Sequence, residues 1–281
     1  MCERLAGAPV ASAINEGCKA DVAKLAERGV TPKLAIARFG EREDDVAYER
    51  AAVKRCETVG VLTQCVSLPG GTEGMLEAID ALNADPSVHG ILLFRPLPKS
   101  IDESAVCERV SVEKDADGIT SRSLTGVFTG RGEGFAPCTA QACVEVLDHY
   151  GIPIEGKRAV IVGRSLVVGK PAAMLLLARN ATVTVCHKST SDLRAECRGA
   201  DILIVAAGQM GLIDESYLTP GQYVIDVGIH VADDGSMRGD VAVDYAAAPV
   251  RGITPVPGGV GTVTTSLLVR NTVTAAMRAL Q

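Results

Sequence analysis

Arg158-Ala159-Val160-Ile161-Val162-Gly163-Arg164-Ser165-Leu166-Val167-Val168-Gly169-Lys170-Pro171 is the stretch that decides the fold. The apolar run over 158–162 predicts a strand, and it ends on a glycine. A second glycine follows six positions later, ahead of a helix over Lys170–Arg179. Pro171 suits the first turn of that helix, where the amide it lacks would be unpaired anyway. In a strand–loop–helix context, glycines let the backbone approach a pyrophosphate, and the helix N-terminus adds N–H donors and a positive dipole. The spacing is not G-x-G-x-x-G, so an ordinary strand-to-helix turn remains open on these residues alone.

Downstream, strands are predicted at 181–186, 201–207 and 223–227, with helical segments near 191–199 and 214–218. Such repetition implies right-handed crossovers and a parallel sheet. Upstream, strands at 33–39, 61–68 and 90–94 alternate with helices at 47–59, closed by Gly60, and from Thr72 to about Asp85. That alternation predicts a second layered α/β domain. From Glu113 to Pro137 the pattern breaks into Asp, Gly, Ser, Thr and Arg, a length usually reserved for function. Helices over Thr139–Tyr150 and Thr265–Leu280 complete the chain. The fold class is therefore α/β. We expect an N-terminal domain over 1–140, with helix 266–281 packing back on it, and a Rossmann-type domain over 141–265.

Composition narrows the function. The chain has 281 residues, 47% apolar, which excludes disorder. Its net charge is −6 and only 3% of residues are aromatic, so neither a basic nucleic-acid surface nor a base-stacking platform is expected. Nine dispersed cysteines form no C-x-x-C pair and four scattered histidines complete no metal-ligand spacing. Reduced thiols in the cytosol fit that pattern. A signal-peptide apolar core and a membrane-length apolar run are both missing. The expectation is a soluble, cytoplasmic protein acting on a small molecule, without a metal.

The end of the strand after the glycine loop distinguishes the two dinucleotides. An acidic residue there would hold a ribose 2′-hydroxyl and favour NAD. This chain has His187-Lys188-Ser189-Thr190, with Arg164 in the first loop. Two cations and a hydroxyl suit a 2′-phosphate. Lys188 alone is equally well a solvated loop lysine; together with Arg164 it tilts the reading to NADP.

The glycine loop through Pro171 and Pro255-Val256-Pro257-Gly258-Gly259-Val260-Gly261 resemble the methylenetetrahydrofolate dehydrogenase/cyclohydrolase family. Lys114-Asp115-Ala116-Asp117-Gly118, Pro137-Cys138-Thr139 and Asp226-Val227-Gly228-Ile229 agree, in the family's order. The resemblance implies two domains flanking a cleft, a homodimer, tetrahydrofolate derivatives as substrate and NADP as cofactor. It implies that Asp117 bonds the pterin edge and Tyr48 contacts the rings, with Phe94, Pro257, Gly258 and Gly259 also at the folate. For the cofactor it implies Gly163, Arg164, Ser165, Gly169, His187, Lys188, Ser189, Ile229 and Thr264. On the residues alone, Asp117-Gly118 is equally a turn and Tyr48 a half-buried helix residue.

Two positions depart from the family pattern. Its hydrolytic step uses a Tyr-x-x-x-Lys helix motif and a Gln before Pro-Leu-Pro. Counting from Tyr48, Ala52 takes the lysine position, and Phe94 takes the glutamine position in Phe94-Arg95-Pro96-Leu97-Pro98. The family's Ser three residues before the Tyr is Asp45. Lys54 lies about 200° further around a helix and faces away. Arg55 and Arg95 are nearer, but a guanidinium is a poor proton shuttle at neutral pH. The expectation is an NADP-dependent dehydrogenase with weak or absent cyclohydrolase activity, with a separate cyclohydrolase in the pathway. The alternatives are a bifunctional enzyme and a catalytically silent folate- or nucleotide-binding protein.

Overall fold

The computed structural model describes residues 2–245 and 247–281 and, of Asp44, the backbone only. The chain divides into two compact units, Met1–Ala11 with Thr139–Thr264, and Ser12–Cys138 with Thr265–Gln281.

Up to residue 138 the elements are β1 (Glu3–Arg4), α1 (Gly7–Glu27), β2 (Lys33–Arg38), α2 (Glu43–Val59) and β3 (Leu62–Ser67). They continue with α3 (Thr72–Ala84), β4 (Gly90–Leu93), α4 (Glu103–Arg109) and α5 (Ser121–Thr129). Strands β3, β2 and β4 form a parallel sheet in that order. The central strand is buried over its middle four residues, since Leu34, Ala35, Ile36 and Ala37 have no exposed surface. Met75, Ile79 and Leu82 of α3 pack with Val106 and Cys107 of α4 over Ile91 and Leu93. Helix α2 stops where Gly60 turns left-handed (φ 89°) and donates its N–H to Cys56 and Glu57.

The second half begins with α6 (Cys138–His149), β5 (Arg158–Val162), α7 (Gly169–Leu177), β6 (Thr182–Cys186), α8 (Leu193–Arg198) and β7 (Ile202–Val205). A 3₁₀ turn (Glu215–Tyr217) precedes β8 (Tyr223–Asp226), the hairpin of β9 (His230–Val231) and β10 (Met237–Arg238), β11 (Gly252–Ile253) and α9 (Val260–Arg278). Six strands make a parallel sheet in the order β1-β11-β8-β7-β5-β6. From β5 the chain steps out to β6 and returns to β7 on the other side of β5. The switch point therefore lies between β5 and β7, and open α/β sheets bind ligands outside the carboxyl ends of the strands at such a point.

Three findings differ from the expectations. Residues 1–11 belong with the Rossmann-type unit and not with a 1–140 domain, because β1 adds to the sheet edge beside β11, Glu3 opposite Gly252. The 113–137 region is not irregular throughout. It contains α5, capped by Thr120, whose hydroxyl accepts from the Ser123 amide at 3.2 Å. The final helix starts at Val260, five residues earlier than Thr265. No helix among the described residues is long and apolar enough to cross a membrane.

Candidate active site

In Lys114-Asp115-Ala116-Asp117-Gly118, four of the five residues hold the fold. The Lys114 ammonium donates to the carbonyls of Leu82, Asn83 and Asp85 at 3.1, 2.7 and 2.7 Å and ties off the end of α3. The fully buried Asp115 carboxylate accepts from the amides of Ile119 and Thr120, both at 2.9 Å, and from the Ser123 hydroxyl at 2.7 Å. The Ala116 carbonyl accepts from the Asn271 amide of α9 at 2.9 Å and from the Cys138 thiol at 3.3 Å. Gly118 is left-handed (φ 68°), and a Cβ there would lie 2.5 Å from the Phe135 carbonyl oxygen. Asp117 accepts from the Cys138 thiol and keeps acceptor capacity for other work.

Asp117 is half-buried. Burial pushes its carboxyl up to about 6, against the pull of the Arg95 cation and of the Cys138 thiol, whose one proton is shared with the Ala116 carbonyl. Close by stands Tyr48, whose hydroxyl burial raises well above its ordinary value, with the Asp117 charge adding to the rise. The Tyr48 ring meets Phe94 edge to face, with centroids 5.7 Å apart and planes at 77°. Tyr48, Phe94 and Asp117 are thus gathered in one unit as an aromatic pair beside a carboxylate. Ala52 sits one helical turn after Tyr48 with no exposed surface, and Lys54 is exposed. Asp45 is buried and pairs with Arg42 at 3.5 Å.

In the other unit, the loop from Gly163 to Gly169 leaves the carboxyl end of β5. Gly163 has φ 131°, and a Cβ there would run into the Ala206 carbonyl oxygen after β7. A Cβ on Gly169 would run into the carbonyl of Gly163 itself. Both glycines are required because backbone crosses backbone at the switch point. Ser165 accepts from the Val168 amide at 3.1 Å, and Arg164 and Ser165 are exposed. The Gly163 amide donates to the Cys186 carbonyl at 2.9 Å, which brings the end of β6 alongside. There Lys188 and Ser189 are exposed, while His187 accepts from the Ser189 amide at 3.2 Å.

Beyond β8, Ile229 is 55% exposed. Thr264 is buried in α9 and its hydroxyl donates to the Val260 carbonyl at 3.3 Å. Pro257 and Gly258 are exposed, and the Gly258 carbonyl accepts from the Gly7 amide at 2.8 Å. Gly259 is buried against the start of α1. Sequence reasoning missed Asn271 and Asp240; neither stands in a motif, and only their contacts single them out.

Family models match both halves. "Tetrahydrofolate dehydrogenase/cyclohydrolase, catalytic domain" matches residues 5–117, and the NAD(P)-binding domain of the same enzymes matches 137–280. The chain belongs to the tetrahydrofolate dehydrogenase/cyclohydrolase family. It is similar to the protein named Bifunctional protein FolD of Carboxydothermus hydrogenoformans, at 49% identity over 279 residues, 98% of this chain and 97% of that protein. The crystal structure of bifunctional FolD from Campylobacter jejuni matches with a TM-score of 0.95 at 36% identity, over 99% of each chain. FolD from Trypanosoma brucei, complexed with NADP and an inhibitor, matches with a TM-score of 0.94 at 36% identity, over 100% of this chain and 99% of that one. As a family member the chain is an enzyme, and its Rossmann-type unit is an NAD(P)-binding domain.

Proposed function

We propose that the chain oxidises 5,10-methylenetetrahydrofolate to 5,10-methenyltetrahydrofolate with NADP, as a cytoplasmic homodimer in one-carbon metabolism. The observation that carries the folate half is Asp117, whose carboxylate keeps acceptor capacity beyond its bond from the Cys138 thiol, set beside the Tyr48–Phe94 pair. Asp117 accepts from the N–H groups of the pterin edge, and Tyr48 and Phe94 pack its rings. Pro257, Gly258 and Gly259 line the folate with backbone.

The nucleotide half fits NADP. Gly163 and Gly169 let the loop pack backbone on backbone at the carboxyl end of β5, and Arg164, Ser165, Lys188 and Ser189 are exposed around that loop. In this reading Gly163, Ser165 and Gly169 hold the pyrophosphate side, while Arg164, His187, Lys188 and Ser189 take the 2′-phosphate. Ile229 and the helix segment at Thr264 flank the nicotinamide end. When bound, the nicotinamide accepts the hydride. The protein's own contribution is to orient the two partners, because no side chain need exchange a proton in that step.

The second, hydrolytic step divides two readings. Relatives 41–49% identical over nearly the whole chain carry the name bifunctional, and this favours an enzyme that also makes 10-formyltetrahydrofolate. The residues at positions 52 and 94 favour the other reading, with hydrolysis left to a separate enzyme. Alanine offers no proton, and phenylalanine cannot hydrogen-bond a lysine. One assay tests both. Methylenetetrahydrofolate and NADP are supplied, and NADPH and methenyltetrahydrofolate are followed separately. NADPH with rapid loss of methenyl product supports the bifunctional enzyme; persistent methenyl product supports the dehydrogenase alone. Absence of NADPH overturns the proposal, and more efficient use of NAD overturns its cofactor.

A further inference from the structure

Two buried carboxylates behind the nucleotide loop are not needed by either chemical step. Asp226, at the end of β8, accepts from the amides of Gly228, Asp240 and Val241, each at 3.0 Å. Asp240 accepts from three successive amides after β7, those of Ala207, Gly208 and Gln209, at 2.7, 3.0 and 3.0 Å. His230 adds a fourth bond to Asp240, from Nε2 at 2.7 Å. Asp226 and Asp240 are 1% and 0% exposed. Successive amides pointing inward make a concavity that ordinarily takes an anion. Here the protein fills it with its own carboxylate, so these three amides are unavailable to a phosphate.

The same network reaches two loops assigned to different ligands. Ala206, the residue before the three amides, has its carbonyl oxygen against Gly163, so fixing 207–209 fixes the glycine loop. At the other end, the Thr254 hydroxyl accepts from the Asp226 amide at 2.8 Å and donates to the Asp226 carbonyl at 3.3 Å. The Thr254 side chain lies beside Gly259, where a Cβ would stand 3.0 Å from it. An unbroken path therefore runs from Gly259 through Thr254, Asp226, Asp240 and 207–209 to Gly163.

The geometry points to Asp226 and Asp240 as positioning residues, a two-carboxylate latch that sets the nucleotide loop and the Pro257–Gly259 loop together. Burying two like charges side by side is costly, and groups kept at such cost are commonly found where geometry serves function. Asp226 carries the mark of it. Burial pushes its carboxyl up to about 6, the amide donors pull it back, and the Asp240 charge adds to the rise.

The inference rests on the functional reading above, and the test separates the two. Steady-state constants for NADP and for methylenetetrahydrofolate are measured for the full-length chain and for Thr254→Val, Thr254→Ser, Asp240→Asn and Ser165→Ala. Thr254→Val and Asp240→Asn are expected to raise the KM of both ligands about ten-fold, with kcat within about two-fold, as losing a hydrogen bond in a charged network would. Thr254→Ser should restore both constants, and Ser165→Ala should raise the nucleotide KM alone. The latch is overturned if Thr254→Val moves only one of the two constants or neither, while NADP binds the wild type normally. Should Asp240→Asn fail to fold, Thr254→Val, which keeps both charges, decides. A wild type that binds no NADP overturns the functional reading itself, and the latch with it.

Discussion

Replacing Asp117 with asparagine should stabilise the protein while disabling it. In the folded chain the carboxyl titrates at about 6 against an ordinary 3.8, chiefly because burial penalises its charged form. The folded state therefore binds more protons than the unfolded one between those two values, and stability falls as pH rises from about 4 to about 6. Above that range the buried charge costs the wild type about 3 kcal/mol, which the partial exposure of the group trims to about 1–3 kcal/mol. Asparagine keeps the shape, can accept from the Cys138 thiol, and carries no charge. Below pH 4 the two proteins should unfold together. At pH 8 the variant should melt about 2–12 °C higher, taking about 2–4 °C per kcal/mol for a unit of this size. Asp226, also raised to about 6, is common to both proteins and cancels in the difference. Thermal melts at half-unit steps from pH 4 to pH 8 measure the gap, and dehydrogenase assays should show kcat/KM for methylenetetrahydrofolate lowered by about two orders of magnitude. A gap that does not change with pH, or a variant less stable than wild type at pH 8, refutes the reasoning.

Other substitutions test the remaining parts. Gly163→Ala drives a Cβ into the Ala206 carbonyl oxygen and should abolish NADP binding by calorimetry. Gly258→Ala meets no atom within 4 Å at φ 96°, so its cost should be confined to the left-handed backbone, about 1–2 kcal/mol by urea denaturation. Lys114→Met leaves three carbonyls at the end of α3 without their donor and should cost about 2–4 kcal/mol in the same measurement. Arg164→Ala with Lys188→Ala should raise the KM for NADP and leave that for NAD unchanged, erasing the preference for the phosphorylated cofactor.

The glycine loop was legible because its requirement is local: a strand, two glycines and a helix start are read off consecutive residues. The alternation of strands and helices on both sides was legible for the same reason. What escaped notice depends on partners far along the chain. Strand β1 is only two residues long and exists because β11 offers an edge, about 250 residues away. Helix α5 hides in a Ser- and Thr-rich stretch, and its start is fixed by the Asp115 carboxylate and the Thr120 cap. The motif singles out Asp117. That its carboxylate keeps spare acceptor capacity, while Lys114, Asp115, Ala116 and Gly118 are committed to the fold, depends on contacts no motif shows.

Positions 52 and 94 gain meaning from being considered together. Tyr48 and Ala52 lie one turn apart on one face of α2, and Tyr48 touches Phe94. Ala52 has no exposed surface and Phe94 is 8% exposed, so both belong to an apolar surround of the tyrosine. A lysine placed at 52 alone would enter that surround as a buried charge with no glutamine at 94 to meet it. A glutamine placed at 94 alone would give up the aromatic contact, worth about 0.5–1.5 kcal/mol, and bury an amide with no lysine to meet. Each single change is unfavourable for a reason the other relieves, so their effects should not add. Ala52→Lys with Phe94→Gln should be less destabilised than the two single variants predict, and should hydrolyse methenyltetrahydrofolate faster than either. Additive stability losses, with hydrolysis unchanged in the double variant, would mean that the two positions act independently and that the proton-handling group lies elsewhere.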